Sequence, residues 1–431
     1  MTRTTACLAT VLALAASASA QEGPDYDLVI KGGHVVDPRN DLSAIRDVAV
    51  KDGRVAAVAV DIPAAHAAKA IDASGLYVTP GLIDIHVHVF PGEKPGDYAG
   101  GDWSVFPDGF TLRSCVTTVT DVGSSGWRNF DDFKRRIIDR SKTRVTAFLN
   151  IVGAGMGSGP VEQNVDDMDV RATADMALRH KGLIVGIKSA HYNGKDWKPY
   201  ERAAEVGRIA DIPVMVDFGG NVRAGRTLME LFTKHFRAGD IYTHMYGGRR
   251  GEQDEATGGP SAAMVEGRQR GIFFDVGHGG ASFRYATAIP LIKAGFLPDS
   301  ISTDLHTSSM NSAMKSMINL MGKVMAMGVP FEDVVRMSTW NPARQIKLED
   351  LGHLSVGAPA DVAVLRRAQG SFGFVDPVGG RLASSERLEC ELTVRDGKVV
   401  YDLNGLIADP WDTLPADARG GDPRWDRTRG H

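Results

Sequence analysis

Apolar segments of strand length recur through the middle of the chain, roughly every 25 to 40 residues, and helical patterns fill the intervals. The strand-like segments cover residues 82–88, 116–122, 145–152, 183–188, 212–217, 240–244, 272–276 and 300–304. The helical candidates include residues 129–141, 171–180, 200–210 and 225–236. This alternation predicts an α/β fold with a parallel sheet, and eight such units favour a (β/α)8 TIM barrel over residues 79–344. An open doubly wound sheet has the same rhythm, but no glycine-rich dinucleotide fingerprint follows the first strand.

Short strand-like segments flank this region on both sides. Their hairpin turn signals are Gly32-Gly33, Asp52-Gly53 and Asp396-Gly397. Since both chain ends carry strands, we expect one small β-sandwich domain with an N-terminal part at 21–78 and a C-terminal part at 345–405. Residues 406–431 are rich in Pro, Asp, Gly and Arg, which predicts an extended tail.

The first residues have the pattern of a secretory signal peptide, assigned to residues 1–20. Arg3 gives a basic start, the apolar run 8–16 is too short to cross a bilayer, and Ala18-Ser19-Ala20 is a small-residue cleavage site. The mature chain would begin at Gln21 and be periplasmic or secreted. An uncleaved membrane anchor is the alternative.

Two cysteines follow the predicted cleavage site, Cys115 and Cys390. They fall in segments assigned to different domains. We therefore expect two buried thiols rather than a disulfide.

The composition is typical of a soluble globular protein, with 43% hydrophobic residues, 24% charged residues and a net charge of −4. This charge balance gives no argument for binding nucleic acid or, after signal cleavage, a membrane surface. We expect a small-molecule substrate, and a homo-oligomer stays open.

The ends of the predicted strands carry an unusual set of side chains. They are His86 and His88 on the first strand, and then Lys188, Asp217, His244, Asp275 and Asp304. Singly, such an aspartate often caps the next helix and such a lysine often reaches solvent. Together they lie where a barrel places its active site, and they are mainly metal-compatible groups. Because residues two apart in a strand point the same way, His86 and His88 would share one face.

These residue types fit hydrolysis by a pair of divalent ions. Lys188, carboxylated by carbon dioxide, would become a carbamate with two oxygens that bridge both ions. Water held between the ions would have a lowered pKa and supply hydroxide. Asp304 would orient that hydroxide, take its proton and pass it to the leaving group.

In these residues the chain resembles the amidohydrolase superfamily, and within it the dihydroorotase-like amidohydrolase/deacetylase branch. The resemblance covers about residues 26–403. The matching motifs are 27–33, 78–88, 186–188, 243–244, 274–279, 301–306, 341–343 and 352–361.

The resemblance implies a centre of two divalent ions, with zinc as the default and manganese or iron as alternatives. His86, His88 and Asp304 would hold one ion, and His244 the other. Lys188 would bridge them as a carboxylated lysine.

Asp217 departs from the family pattern, which has a histidine on the fifth strand. Three interpretations stay open. Asp217 replaces the histidine as an oxygen ligand, or the second ion is bound weakly and the enzyme uses one ion, or Asp217 orients His244.

Four residues are candidates for substrate binding: His278, His191, Tyr192 and Arg249. For His278 the alternative is a cap on its glycine-rich loop. Arg249 and its neighbour Arg250 could receive a substrate carboxylate, and for both the alternative is a solvated loop position. The segment 90–107, with Tyr98, Trp103 and Phe106, is expected to cover the site.

The resulting prediction is a metal-dependent hydrolase that cleaves an amide, or an ester, in a small acylated molecule, with N-acyl amino acid deacetylation as the first expectation. A cyclic amidase of the dihydroorotase or hydantoinase type is the alternative. A catalytically inactive scaffold on the same barrel is the hypothesis from another class.

Overall fold

The computed structural model describes residues 24–92, 103–157, 160–219 and 225–414. The predicted signal peptide, Tyr98 and the end of the predicted tail lie outside the described residues.

Strands in the described ranges form two sheets. In chain order they are β1 Tyr26–Asp37, β2 Leu42–Lys51, β3 Arg54–Ala59, β4 Ala67–Asp72, β5 Tyr77–Pro80, β6 Leu82–Val87, β7 Val116–Gly126, β8 Arg144–Asn150, β9 Ile184–Ser189, β10 Val214–Val216, β11 Ile241–Tyr242, β12 Phe273–Phe274, β13 Val362–Val375, β14 Arg381–Arg395 and β15 Lys398–Asp402.

Helices lie mainly between the strands of the second half of this series. They are α1 Phe130–Arg136, α2 Val170–Arg179, α3 Lys198–Ala210, α4 Leu228–Glu230, α5 Ala262–Gln269, α6 Tyr285–Lys293, α7 Thr307–Asn311, α8 Met317–Ala326, α9 Phe331–Ser338 and α10 Trp340–Gln345. The helix predicted over 225–236 is α4 followed by a π-helical segment, Leu231–His235. The longest of these helices, α3, has 13 residues, and no helix in the described ranges qualifies as a membrane span.

The central sheet is parallel and follows the chain from β6 to β12, each strand paired with the next. An eighth strand was predicted over 300–304. Here the chain makes only two isolated parallel bridges, Asp275 with Ser300 on one side and Val87 with Leu305 on the other. Asp304 has a φ of 50°, and this left-handed conformation interrupts the extended backbone that a strand requires. In the described residues the curled central sheet therefore has seven strands. Its two edge strands, β6 and β12, both border the segment 300–305.

Both faces of the central sheet are buried. Ile85 and Met215 belong to an inner apolar cluster, whereas Val119 and Val216 pack in the larger cluster that includes the helices. Side chains alternate across a strand, so each strand must supply apolar residues to both layers. This explains why the strands appear in the sequence as nearly continuous apolar runs.

The second sheet contains strands from both chain ends. Its order is β15-β14-β13-β5-β1-β2-β3, with β4 paired to β1. The join is made by β5, which lies parallel to β1 and antiparallel to β13. The hydrogen bonds define one sheet, so the predicted two-sheet sandwich is not confirmed.

Methionines recur at helical spacing over residues 312–327, which predicts a helix that packs in the core, and this segment contains α8. Its N-cap is Ser316, whose hydroxyl accepts a hydrogen bond from the N–H of Asn319. Met317, Met321 and Val324 are buried in the core, so the prediction that these methionines pack in the core is confirmed.

Cys115 and Cys390 form a disulfide, with 5.6 Å between their Cα atoms. The expectation of two free thiols was wrong. β14 packs on the turn before β7, where the hydroxyl of Thr393 donates to the carbonyl of Leu112 at 2.7 Å. Cys115 lies in the region predicted as the barrel and Cys390 in the predicted β-domain. The contact between β14 and the turn before β7 brings the two cysteines together.

Replacing both cysteines, as Cys115→Ala with Cys390→Ala, should lower the free energy of unfolding by about 2–5 kcal/mol, because the bridge closes a loop of 275 residues. Urea unfolding of the oxidised chain and the double variant measures this difference. The same chain, reduced with dithiothreitol, is the matched control and should unfold like the variant. Two free thiols in the denatured, unreduced chain would contradict the bridge.

Candidate metal centre

A cavity of about 510 Å³ opens at the carboxyl ends of the parallel strands. All six predicted metal ligands line it: His86, His88, Lys188, Asp217, His244 and Asp304. The remaining lining residues are Trp103, Met156, His191, Gly280, Ala281, Ser282, His306, Ser308 and Ser312. The volume suits a small molecule.

His86 is buried and held through one ring nitrogen. Its Nδ1 lies 3.0 Å from Oγ1 of Thr243, and that hydroxyl donates to Oδ2 of Asp275 at 2.7 Å. Burial, and next the charge of Lys188, lowers the pKa of His86 to about 3. The imidazole is therefore neutral, as a metal ligand must be, and Nε2 faces Oδ1 of Asp304 at 3.6 Å.

The other two strand-end histidines are oriented in the same way. Nδ1 of His88 lies 3.0 Å from Oγ of Ser124, and Nδ1 of His244 lies 2.5 Å from the carbonyl oxygen of Gly277. Nε2 of His88 then faces Oδ1 of Asp304 at 3.2 Å. Each ring thus uses Nδ1 for the protein and directs Nε2 into the cavity, which is the usual arrangement behind a metal-binding histidine.

His86, His244 and Asp304 form a group that fits a divalent ion. One ligand atom from each lies within 4.8 Å of the others, and all three residues are buried. Burial alone would raise the pKa of Asp304, but the imidazoles of His86 and His88 outweigh it and hold the pKa well below its usual value. Two nitrogen donors and a carboxylate are a donor set that zinc and manganese both accept.

Asp84 fixes this group from behind. Its Oδ1 accepts hydrogen bonds from the backbone N–H groups of His86, at 3.2 Å, and Thr303, at 3.1 Å. Its Oδ2 accepts the hydroxyl of Thr303 at 2.5 Å. One carboxylate therefore ties the strand that carries His86 to the residue that precedes Asp304.

Glycines leave room for the polar groups of the centre. A Cβ at Gly279 would lie 2.4 Å from Oδ2 of Asp304, and one at Gly277 would lie 2.3 Å from Oγ1 of Thr243. Both glycines also have a positive φ. The glycines of this loop are thus required by the space that Thr243 and Asp304 occupy.

Lys188 is fully buried on β9. Burial lowers the pKa of its amine, although Asp217 and Asp304 oppose the effect. A larger fraction of the amine is therefore neutral, which is the form that reacts with carbon dioxide. Carboxylation of Lys188 stays a prediction.

Asp217 is bonded through both carboxylate oxygens. Oδ1 accepts from Nη2 of Arg250 at 2.7 Å, and Oδ2 lies 3.1 Å from Nε2 of His191 and 3.3 Å from Nε2 of His244. Burial opposes ionisation, but Arg250 and His244 outweigh it and hold the pKa of Asp217 well below its usual range. The carboxylate is therefore charged.

Of the four predicted substrate-binding residues, the structure brings only His191 to the cavity wall. The hydroxyl of Tyr192 donates to Asp196 at 2.9 Å, and Arg249 is exposed outside the lining. His278 is buried with its Nε2 2.7 Å from Nζ of Lys323 and its Nδ1 2.8 Å from the carbonyl of Gly279. This position matches the loop-capping alternative for His278.

Arg249 and Arg250 were both candidates for binding a substrate carboxylate, and Arg250 is the one that turns inward, to Asp217. Sequence reasoning passed over two other residues at the site. Glu162 bonds His191 at 2.9 Å from a loop without periodic pattern. His306 lines the cavity beside Trp103, with ring centroids 5.6 Å apart, and its place two residues after Asp304 was a usable signal.

Known proteins share this fold and much of this sequence. Residues 225–401 match the amidohydrolase family. A deacetylase of Brucella anthropi is 34% identical over 332 residues, which are 74% of this chain and 79% of the relative. The chain belongs to the amidohydrolase family. It is thus a hydrolase of carbon–nitrogen bonds, in a family that depends on metals.

Other relatives of this amidohydrolase agree on the family. A deacetylase of Agrobacterium fabrum is 33% identical over 73% of this chain and 76% of its own length. A crystal structure of a dihydroorotase has a TM-score of 0.76 at 28% identity and covers 87% of this chain and 99% of that one. A crystal structure of an adenine deaminase has a TM-score of 0.79 at 27% identity and covers 88% and 100%.

Thr243→Val should weaken binding of the ion about 10–100-fold, because His86 loses the hydroxyl that orients its ring. Thr243→Ser keeps that hydroxyl and is the matched control. Titration with zinc against a chelating dye measures both affinities. Equal losses in the two variants would show that packing, not the hydrogen bond, matters at this position.

Proposed function

We propose that this amidohydrolase removes an acyl group from a small N-acylated molecule, with N-acyl amino acids as the first substrate class. The observation that supports this most is the convergence of six metal-compatible side chains on one cavity of about 510 Å³. Two relatives that carry the name deacetylase, at 34% and 33% identity, favour acyl removal over other amide chemistry. Ester cleavage follows the same chemistry.

His86, His244 and Asp304 would hold the resident divalent ion, with zinc as the default. When bound, the ion polarises the scissile carbonyl and lowers the pKa of water. The chain's own contribution is orientation. Thr243 and Gly277 fix the two imidazoles, so the ring nitrogens face the cavity before substrate arrives.

We assign the role of general base to Asp304. Its carboxylate is ionised, since its pKa lies well below its usual value. Oδ1 lies within 3.6 Å of Nε2 of both His86 and His88, at the inner wall of the cavity. Asp304 would accept the proton of the attacking water and then donate it to the leaving amine.

Other residues of the cavity lining offer the groups that a polar acyl compound needs. Ser282 and Ser312 line the cavity, and their hydroxyls can donate to a carbonyl or carboxylate of the substrate. Trp103 and His306 add aromatic surface beside them. Hydrogen-bonding hydroxyls beside aromatic rings suit an N-acyl amino acid better than a purely apolar amide.

A cyclic amidase is the second candidate, and a specific comparison favours it: the dihydroorotase structure with a TM-score of 0.76. Both reactions cleave an amide bond with the same residues. They differ in whether the carbonyl belongs to a ring, so substrate assays separate them.

The buried disulfide supports the periplasmic or secreted location, because disulfides persist in oxidising compartments.

We also propose that segment 300–305 completes the barrel as its eighth member, since it bridges both edge strands. That the protein binds neither nucleic acid nor a membrane stays a prediction. A homo-oligomer stays a possibility that the sequence leaves open.

The deciding assay uses the mature chain with zinc or manganese and with bicarbonate present. The panel contains N-acetyl-D- and L-amino acids, aryl acetates, dihydroorotate and hydantoins. Faster release of acetate from the N-acyl compounds than ring opening supports the deacetylase. Ring opening alone would replace it with the cyclic amidase, and no turnover with metal bound would favour the inactive scaffold.

Asp304→Asn should lower kcat about 10²–10⁴-fold on the best substrate of the panel, because the amide cannot accept the proton. Asp41→Asn is the matched control: Asp41 is exposed in the second sheet's 3-10 turn and has a similar positive φ, 48°. Circular dichroism and thermal unfolding check that both variants fold. If Asp304→Asn retains turnover, another residue is the base.

A further inference from the structure

Both carboxylate oxygens of Asp217 already have a basic side chain beside them. Its Oδ1 accepts the guanidinium of Arg250 at 2.7 Å. Its Oδ2 has two imidazole nitrogens within 3.3 Å, from His191 and His244. Arg250 and His191 can each donate a hydrogen bond to one of these oxygens, so a second ion would have to compete with both for the carboxylate.

Arg250 is fixed in this position by its own loop. Its backbone N–H donates to Oε2 of Glu252 at 2.8 Å, and Oε1 of Glu252 accepts the hydroxyl of Tyr242 at 3.1 Å. Glu252 and Tyr242 are both fully buried. The guanidinium is therefore anchored beside Asp217, and a second dication there would lie next to a permanent positive charge.

His191 adds to this arrangement from the other side. Its Nδ1 lies 2.9 Å from Oε2 of Glu162, and its Nε2 lies 3.1 Å from Oδ2 of Asp217. Both ring nitrogens thus face carboxylate oxygens. Asp217 therefore has two basic side chains beside it, Arg250 and His191. His191 also bonds the carboxylate of Glu162.

His244 groups with His86 and Asp304 rather than with Asp217. The family resemblance assigns it to the second ion together with the fifth-strand residue. In the structure its ligand atom groups with those of His86 and Asp304, within 4.8 Å. Asp217 is not a member of that group.

We propose that this amidohydrolase binds one divalent ion, at His86, His244 and Asp304, and that the Asp217–Arg250 ion pair, supported by His191, takes the place of the second ion. The proposal deepens the proposed function and rests on it for the resident ion. Asp217 is then the anionic partner of Arg250 and His191, and Arg250 supplies the positive charge that the second ion would supply.

Metal content tests the proposal directly. The full mature chain is stripped with a chelator, reconstituted with excess zinc, passed through a desalting column and analysed by plasma mass spectrometry. We expect one zinc per chain. Two tightly held zinc ions per chain would overturn the proposal.

A variant that removes both charges of the ion pair gives the converse result. Asp217→His with Arg250→Met provides the usual histidine and removes the cation, so zinc content should rise from one to two per chain. Arg249→Met is the matched control for losing an arginine from this loop, and it should still bind one zinc. A double variant that folds by circular dichroism yet binds one ion would count against the ion pair as the substitute.

Manganese gives a readout that needs no variant. A single bound Mn²⁺ shows an isolated six-line electron paramagnetic resonance signal, which we expect at full loading. A pair of ions about 3.5–4 Å apart couples and gives a multiline spectrum, which would overturn the proposal.

The outcomes separate this proposal from the proposed function. One ion per chain without hydrolysis of any substrate on the panel would reject the proposed deacetylase activity and keep the one-ion centre. Hydrolysis with two coupled ions would keep the enzyme and reject the ion pair.

Discussion

The carboxylate of Asp84 holds the first strand of the central sheet against the segment that closes it. It accepts the N–H groups of His86 and Thr303 and the hydroxyl of Thr303. His86 and Asp304 lie at opposite ends of the barrel region in sequence, and a metal group requires them within a few ångströms of each other. The centre therefore depends on one buried acceptor that joins two distant stretches of backbone.

Environment, rather than residue type, sets the charge of each group around the cavity. Burial beside Lys188 lowers the pKa of His86 to about 3. Burial also acts on His191, but its hydrogen bonds to Asp217 and Glu162 outweigh that effect and raise its pKa to about 10. One cavity thus holds a neutral imidazole, suited to a metal, and a protonated imidazole, suited to an anion.

The sequence was informative where physical constraints repeat. Strands buried on both faces must be apolar throughout, which made the strand positions visible, and polar residues at their ends could then be assigned to one rim. Loop conformation leaves no such pattern, so Arg250 could not be told from Arg249, and the direction of His278 towards Lys323 was not visible. The left-handed backbone of Asp304, which interrupts the segment predicted as the eighth strand, likewise has no signature in side-chain hydrophobicity.

The bridge between Cys115 and Cys390 has a consequence for the order of assembly. Its two half-cystines are separated by 275 residues, and Cys390 lies on β14, so the bond cannot form before every strand of the central sheet has been synthesised. In the folded chain it lies where β14 packs on the turn before β7. The bond can therefore form only in a chain that extends through β14: a chain truncated before β14 would lack Cys390 and leave Cys115 without its partner.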